Sequence, residues 1–240
     1  LGAAPLLTAA DCPQWGQLHS RNMVSEETNL PASFDPVVGE NIKWVISLGS
    51  STYSTPVIAG GKVFIGTNND SPRDPRHKGD RGVLLCLNEA DGSLAWQLLV
   101  PKLEGDVYLD WPKAGICSPP TVEGQRVYVV TNRAEVLCLD LHGLHNGNDG
   151  PYQDEARHMT PEKTEPLELT ELDADILWIF DMRSGAGMYP HDSAHSSILL
   201  DGDFLYLNTG NGVDNTHRCI RAPDAPSLIV LNKNTGRLLA

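Results

Sequence analysis

Two short stretches of this chain concentrate side chains that could bind a ligand or transfer a proton. Tyr108, Asp110 and Trp111 lie in the first stretch, and His191 and His195 lie in the second. Imidazole and carboxylate groups exchange protons or ligate metals, and aromatic rings offer flat apolar surfaces. The two histidines are four residues apart, which on a helix would direct both imidazoles toward one metal ion. Whether that spacing has this meaning depends on the elements that carry it.

A repeated segment predicts those elements. Each copy contains an apolar run, a glycine turn, a second apolar run, a third strand-like segment and, where the copy is complete, a tryptophan. Gly60, Gly124 and Gly202 occupy matching turn positions, so the copies are spaced by 64 and 78 residues. A further tryptophan segment, Asn41–Ser47, precedes the first copy and is expected to form an additional strand. The copies are Ser54–Thr67 with Gly82–Trp96, Ser118–Thr131 with Glu135–Asp140 and Asp175–Trp178, and Ser197–Thr209 with Ser227–Gly236.

Each copy reads as a sheet of four antiparallel strands. The alternation in Lys62–Thr67 predicts that Val63 and Ile65 face the core and that Phe64 faces outward. One such sheet cannot bury both of its faces alone, so the copies are expected to stack face to face. A radial stack of four-stranded sheets, or blades, is a β-propeller, so the predicted fold is all-β with almost no helix outside residues 145–172.

The tryptophans extend this repeat. Trp44, Trp96 and Trp178 occupy one repeat position, expected near the end of a fourth strand, and are predicted to pack between blades. The strand, glycine turn, strand and tryptophan order resembles the repeat of the pyrroloquinoline-quinone (PQQ) β-propeller superfamily. The segment Asp11–Trp15 with Ser20–Met23 is similar to the start of bacterial PQQ-binding-like proteins. The resemblance covers about residues 11 to 240.

Length bears on how much of a ring is present. A propeller closes with about four to eight blades, whereas this chain supplies about three blades and one closing strand. We therefore expect a fragment of a longer protein that holds the missing blades, or alternatively three blades that assemble with a second chain. The predicted organisation is an N-terminal segment at 1–40 and propeller repeats at 41–240. Within the repeats, the blades are expected at about 54–99, 118–181 and 196–240.

Composition bears on location and partners. Leu1–Ala10 is apolar and rich in small residues, so it is either the end of a signal peptide or a plain tail. We therefore expect a periplasmic or otherwise exported protein without a transmembrane segment. The net charge of −13 argues against nucleic acid and anionic membranes as partners.

An acidic insertion at 141–172 interrupts the second copy. Residues 145–175 carry nine acidic and two basic residues, a net charge of −7. The stretch Asn146–Gly150 has the oxygen-rich composition of a calcium loop but lacks the ligand spacing of an EF-hand. A solvated loop is therefore favoured there, with a calcium site as the alternative.

Cysteine positions give no metal motif. Cys86 and Cys138 share one repeat position and are expected to be free, buried thiols. No two cysteines are adjacent, and the CxxC motif is absent, so neither a zinc knuckle nor a haem attachment site is predicted and no metal ligand is assigned.

The repeat also places the candidate site. In a propeller, the residues before each first strand face the mouth of the central channel, which puts the 191/195 pair in a loop where helical spacing does not apply. A small-molecule or protein ligand site is one interpretation, and hydrated channel-lining groups are the other. The candidate residues are Tyr53, Tyr108, Asp110, Trp111, Cys117, His191 and His195.

Two functions follow from the resemblance. The first is a non-catalytic, exported propeller that acts as a ligand-binding, protein-binding or assembly scaffold. The alternative is a periplasmic quinoprotein oxidoreductase that uses PQQ and calcium to oxidise alcohols or sugars. Such enzymes are expected to clamp PQQ between a tryptophan and a disulfide of adjacent cysteines, and that cysteine pair is not in this sequence.

Overall fold

The computed structural model describes residues 10–17 and 20–240, and most of Leu1–Ala10, expected to be either the end of a signal peptide or a plain tail, lies outside them. Three antiparallel sheets follow one another along the chain. The first contains β1 (Val57–Ala59), β2 (Lys62–Asn68), β3 (Arg81–Asn88) and β4 (Leu94–Pro101). The second contains β5 (Thr121–Glu123), β6 (Arg126–Val130), β7 (Glu135–Asp140) and β8 (Ile176–Asp181). The third contains β9 (Leu199–Asp201), β10 (Phe204–Asn208) and β11 (Leu228–Asn232).

These sheets are the predicted blades. Strands pair in chain order within each sheet, so every blade is an antiparallel meander. In the third blade, the segment after β11 pairs with it through an isolated bridge between Leu231 and Leu238, and the backbone N–H of Leu239 donates to the carbonyl of Val230 at 2.8 Å. The turns between the first and second strands hold Gly60, Gly124 and Gly202 at φ of 59°, 57° and 55°, a region that favours glycine.

Apolar clusters fill the spaces between blades. One cluster joins blade one to blade two and includes Phe64, Leu84 and Val129, and a second joins blade two to blade three. Phe64 is 0 % exposed, and its ring centroid lies 5.9 Å from that of Trp96. The prediction that Phe64 faces outward was therefore wrong. The outward face of one blade is the contact face of the next, so strand alternation does not separate core from solvent here.

The three tryptophans make the same contact with the following copy. Trp96 and Trp178 lie near the beginning of β4 and β8, not near the end as expected. Each of the three indoles packs against a glycine that follows a third strand, where an added Cβ would come within 2.8 Å of the ring. The indole Nε1 atoms donate to main-chain carbonyls, Trp44 to Glu89 at 2.9 Å, Trp96 to Leu141 at 2.8 Å and Trp178 to Lys233 at 3.1 Å.

Two sequence expectations need correction. The Asn41–Ser47 segment packs on blade one but is not a β-strand, because no neighbouring strand pairs with it among the described residues. A short helix, α2 (Met182–Ala186), lies outside the region where helix was expected. Its local sequence explains it, since the Asp181 side chain accepts a hydrogen bond from the N–H of Arg183 and Gly187 ends the helix at φ 67°.

The acidic insertion lies along the outer edge of the blades. The connection from β7 to β8 contains a 3-10 helix (Gly143–Asn146) and a short α-helix, α1 (Glu155–His158). Its last part pairs with β4, because Gln97 exchanges main-chain hydrogen bonds of 2.9 Å with Leu172 and Ala174. Met159 and Ala174 are buried in the cluster between blades one and two. The insertion therefore covers the boundary between two blades.

Candidate functional site

Serine residues before the first strands link the three blades at one end. The Ser54 hydroxyl donates to the carbonyl of Ser118 at 2.9 Å, and the Ser118 hydroxyl accepts from the N–H of Ser196 at 3.0 Å. These serines each stand six residues before the glycine of the first turn in their copy. The repeat thus brings the segments that precede β1, β5 and β9 together.

A cavity of about 620 Å³ opens beside this serine row. We call it the aromatic cavity. Six of the seven candidate residues line it, and the seventh, Asp110, does not. The connection from β4 to β5 contributes four of the lining residues, among them Tyr108 and Trp111, and the connection from β8 to β9 contributes another four. The full lining is Tyr53, Tyr108, Trp111, Ala114, Cys117, His191, Asp192, Ser193, His195 and His217.

Stacked rings form one wall of the aromatic cavity. The Tyr108 ring stacks on His191 with centroids 5.5 Å apart and contacts Trp111 at 5.7 Å and His217 at 5.6 Å. The Nε2 atoms of His191 and His217 are 2.9 Å apart, and His191 Nδ1 is 3.1 Å from the carbonyl of Val213. Because a carbonyl only accepts, His191 Nδ1 carries a proton, and in the neutral ring its Nε2 accepts from His217.

Loops from two copies hold this wall in place. Asp106 accepts a hydrogen bond from the N–H of Tyr108 at 3.0 Å and two from the Arg221 guanidinium at 3.0 and 3.1 Å. The Tyr108 N–H, with Arg221 and Asn215, lowers the pKa of Asp106. Asp192 adds main-chain bonds of 2.6 Å to Tyr108 and Trp111. Tyr108 is therefore held by Asp106 of its own loop and by the main chain of Asp192 in the β8–β9 connection.

Asp110 has a structural position. Its carboxylate accepts hydrogen bonds from Lys102, from the N–H of Leu103 at 3.1 Å and from Asn132 at 2.7 Å. Burial raises the pKa of Asp110, and the Lys102 charge offsets part of that rise. With its lone pairs occupied, Asp110 ties the β4–β5 connection to blade two and does not face the aromatic cavity.

Cys117 is a buried thiol at the base of the aromatic cavity. The Ser193 hydroxyl donates to its sulfur at 3.2 Å, and burial raises the pKa of the Cys117 thiol. Because the thiolate is the reactive form, this environment leaves Cys117 a poor nucleophile at neutral pH. Cys86 and Cys138 are free as well, and burial raises the pKa of each to about 12.

Sequence reasoning missed His217, Ser193 and Asp106. His217 lies in the long connection between β10 and β11, which spans residues 209–227, whereas the matching connection of blade two spans only 131–134. That difference in loop length was the available signal. In the described part of the chain, no group of three or more histidine, cysteine or acidic residues is arranged to hold a metal ion. No helix among these residues has the length and apolarity to cross a bilayer.

Comparison with solved structures gives weak similarity over most of this chain. BamB from Moraxella catarrhalis is 14 % identical with a TM-score of 0.43, and the match covers 82 % of this chain and 38 % of BamB. A europium-containing methanol dehydrogenase is 10 % identical with a TM-score of 0.46, covering 81 % of this chain and 25 % of the enzyme. A quinohemoprotein alcohol dehydrogenase from Comamonas testosteroni is 12 % identical with a TM-score of 0.41, covering 82 % and 35 %.

The chain thus spans 38 % or less of these proteins. A comparison with curated proteins found no match. A family model described as outer membrane protein assembly factor BamB matches residues 32–239, which include all three blades. By this match and by its repeated, tryptophan-containing sheets, the chain belongs to the PQQ-like β-propeller family that this model represents.

Proposed function

We propose that this chain is part of a non-catalytic, exported propeller that binds a segment of a partner protein in the aromatic cavity. One observation supports the proposal above the others: residues from three copies of the repeat converge on a single open cavity with ring-lined walls. The family description, an assembly factor of the outer membrane, favours a protein partner and a periplasmic location.

The lining of the aromatic cavity indicates the chemistry of the bound segment. Among the described residues that line it, lysine and arginine are absent, and Asp192 is the one carboxylate. Tyr53 and Trp111 expose ring surface at the opening, and such rings supply rigid contact area at low entropic cost. An uncharged segment with an apolar or aromatic side chain fits these walls better than a strongly anionic ligand.

Four candidate groups in or beside the aromatic cavity are poorly arranged for catalysis. Burial raises the pKa of the Cys117 thiol, and the Asp110 carboxylate accepts hydrogen bonds from Lys102, Leu103 and Asn132. The Nε2 atoms of His191 and His217 form a hydrogen bond with each other. None of these four groups is therefore a free base next to a nucleophile, as general acid–base catalysis requires.

PQQ and calcium, which the oxidoreductase alternative requires, do not fit the aromatic cavity. Trp111 supplies one flat surface, but Cys117 is a single thiol and offers no opposing clamp. PQQ is a tricarboxylate, and no fixed cation lines this cavity in the described residues. No catalytic step is therefore assigned to this chain.

Photo-crosslinking tests the binding proposal in the native host. A photoreactive phenylalanine analogue replaces Tyr53, and Phe34, which is 71 % exposed and outside the aromatic cavity, is the control position. We expect one protein adduct at position 53 that Trp111→Ala reduces about tenfold or more, as for an aromatic interface anchor. An adduct that forms equally at position 34, or that ignores Trp111→Ala, would contradict the proposal.

Calorimetry with PQQ and calcium separates the two functions. For the protein at its natural length, we expect no PQQ binding at micromolar concentrations and no reduction of a dye acceptor with alcohol or sugar substrates. Micromolar or tighter binding that His195→Ala weakens would replace the scaffold proposal with the quinoprotein alternative. Binding that His195→Ala leaves unchanged would place PQQ outside the aromatic cavity.

A further inference from the structure

Two carboxylates of the β7–β8 connection are buried with one oxygen each left unpaired. Glu155 and Asp175 are both 0 % exposed. Glu155 Oε1 and Asp175 Oδ1 have no hydrogen-bond partner. Buried charged groups in native proteins are paired or coordinate a metal ion, because an isolated buried carboxylate is strongly unfavourable. These two oxygens are therefore open to a ligand from solution.

One loop holds both carboxylates. The Asn148 side-chain amide donates to Glu155 Oε2 at 2.9 Å, and the N–H of Asp149 donates to Asp175 Oδ2 at 3.0 Å. Gln153 closes the loop by donating to the Asn148 side-chain oxygen at 2.6 Å and to the carbonyl of Gly150 at 2.7 Å. One oxygen of Glu155 thus binds Asn148 and one oxygen of Asp175 binds the adjacent Asp149, and the other oxygen of each carboxylate remains available.

Basic side chains nearby are engaged elsewhere. Arg157 donates to the carbonyls of Thr160 and Thr164, each at 2.8 Å. Arg133 and His158 both contact Glu135, at 3.3 and 3.0 Å. Within residues 10–17 and 20–240, no ion pair includes Glu155 or Asp175. A protein cation therefore does not neutralise them.

We propose that Glu155 and Asp175, together with the Asn146–Gly150 loop, bind a calcium ion. Carboxylate, amide and main-chain oxygens are the donors that hard cations prefer, and calcium accepts an irregular oxygen shell that magnesium does not. The described residues contain no group of three or more histidine, cysteine or acidic side chains that could hold a metal ion. The proposed site therefore has two carboxylates, and amide oxygens complete its ligands. Neither carboxylate lines the aromatic cavity, so the calcium site is separate from the proposed site for a partner protein.

The site has a structural consequence. Asp175 immediately precedes β8. The two residues before it contact Gln97 of β4: Asp173 forms an isolated bridge with Gln97, and the N–H of Ala174 donates to its carbonyl. A bound ion would therefore stabilise the insertion where it covers the boundary of blades one and two. Calcium would have a structural role here, holding the insertion against blades one and two, and would take no part in ligand binding at the aromatic cavity.

Thermal unfolding with and without calcium tests the proposal. Protein stripped with EDTA is titrated with CaCl₂, with MgCl₂ as the ion control, and binding is followed by calorimetry and by terbium luminescence. We expect one saturable calcium per chain, at or below the ~10⁻⁴–10⁻³ M range of extracellular calcium modules. We also expect a rise in Tm of several degrees that equal magnesium does not produce.

Near-isosteric variants localise the effect. Glu155→Gln and Asp175→Asn should abolish the calcium-dependent rise in Tm and the terbium signal. Each should leave the Tm in EDTA unchanged or higher, because it removes a buried negative charge. Glu165→Gln, an exposed acid of the same insertion, should keep the wild-type response. The proposal would be overturned if millimolar calcium left the wild-type Tm unchanged, or if the two variants bound calcium as the wild type does.

Discussion

Single residues at the blade boundaries join neighbouring blades, and Trp96 is an example. Trp96 is fully buried, packs on Phe64 of its own blade and donates its indole hydrogen bond to Leu141 of the next copy. Such a residue links two blades through both apolar contact and a satisfied polar group. Its loss leaves a cavity and an unpaired carbonyl at the same point.

Trp96→Ala should therefore lower the free energy of unfolding by roughly 3–5 kcal/mol, the range for truncating a large buried aromatic. Urea unfolding measures the change. Trp15→Ala is the matched control, since Trp15 is exposed, and it should cost much less. A loss below about 1 kcal/mol for Trp96→Ala would show that the indole does not join the blades.

Glu135 makes stability depend on pH. Burial acts to raise the pKa of Glu135, but the hydrogen bond and charge of His158, together with Arg133 and Thr131, outweigh it and lower this pKa. A carboxyl whose pKa is lower in the folded state stabilises the fold above its unfolded pKa. That contribution disappears as the pH falls through the lowered pKa.

We thus expect the wild type to lose more stability between about pH 6 and pH 3 than Glu135→Gln loses, because the variant cannot titrate. Urea midpoints at the two pH values measure the difference. Glu162→Gln, at an exposed position of the insertion, should follow the wild-type pH profile. Parallel profiles for Glu135→Gln and the wild type would contradict the assignment.

The segment after each third strand contains a glycine that packs against a tryptophan from earlier in the chain. Gly92 lies at φ 73°, and an added Cβ would come within 2.8 Å of the Trp44 ring. Gly61 has nearly the same φ, 72°, but nothing lies within 4 Å of its added Cβ. The two glycines share a backbone requirement and differ in the indole contact.

Comparing Gly92→Ala with Gly61→Ala isolates that contact. Both alanines must adopt a positive φ, which costs about 1 kcal/mol. Gly92→Ala should cost a further ~1–3 kcal/mol, because the new methyl group overpacks the turn against the indole. Equal urea midpoints for the two variants would show that Trp44 does not restrict this turn.

The stack of blades determines how stability is distributed over the whole chain. Blade two contributes to the apolar clusters on both of its faces, whereas blade three contributes to one. In stacked repeats, stability is approximately a sum over neighbouring interfaces. Blade two should therefore open least often.

Hydrogen exchange of the 240-residue chain checks this expectation. Amides of β6 should exchange more slowly than those of β10, although both strands have five residues and pair with a strand on each side. Trp178→Ala, which weakens the boundary of blades two and three, should speed exchange in blade three more than in blade one. Equal protection of blades two and three would contradict a stability set by stacking.

Local sequence features were enough to predict the fold class. Strand runs, glycine turns and one tryptophan per copy recur along the chain, and repeating units of this kind have few ways to bury their faces. The same regularity placed Tyr53, Tyr108, Trp111, Cys117, His191 and His195 before equivalent strands. The structure brings these six residues to one cavity.

Only the tertiary structure decided which surfaces and charges are buried. Strand alternation suggested an exposed Phe64, but the neighbouring blade covers it. Asp110 read as a channel residue, yet Lys102 and Asn132 draw it into a buried network, and His217 reaches the aromatic cavity only through a loop fold. Glu155 and Asp175 are two of nine acidic residues at 145–175, and only the fold of the insertion shows that both are buried. Local patterns specify how a strand or turn forms, whereas burial depends on elements that are distant in sequence.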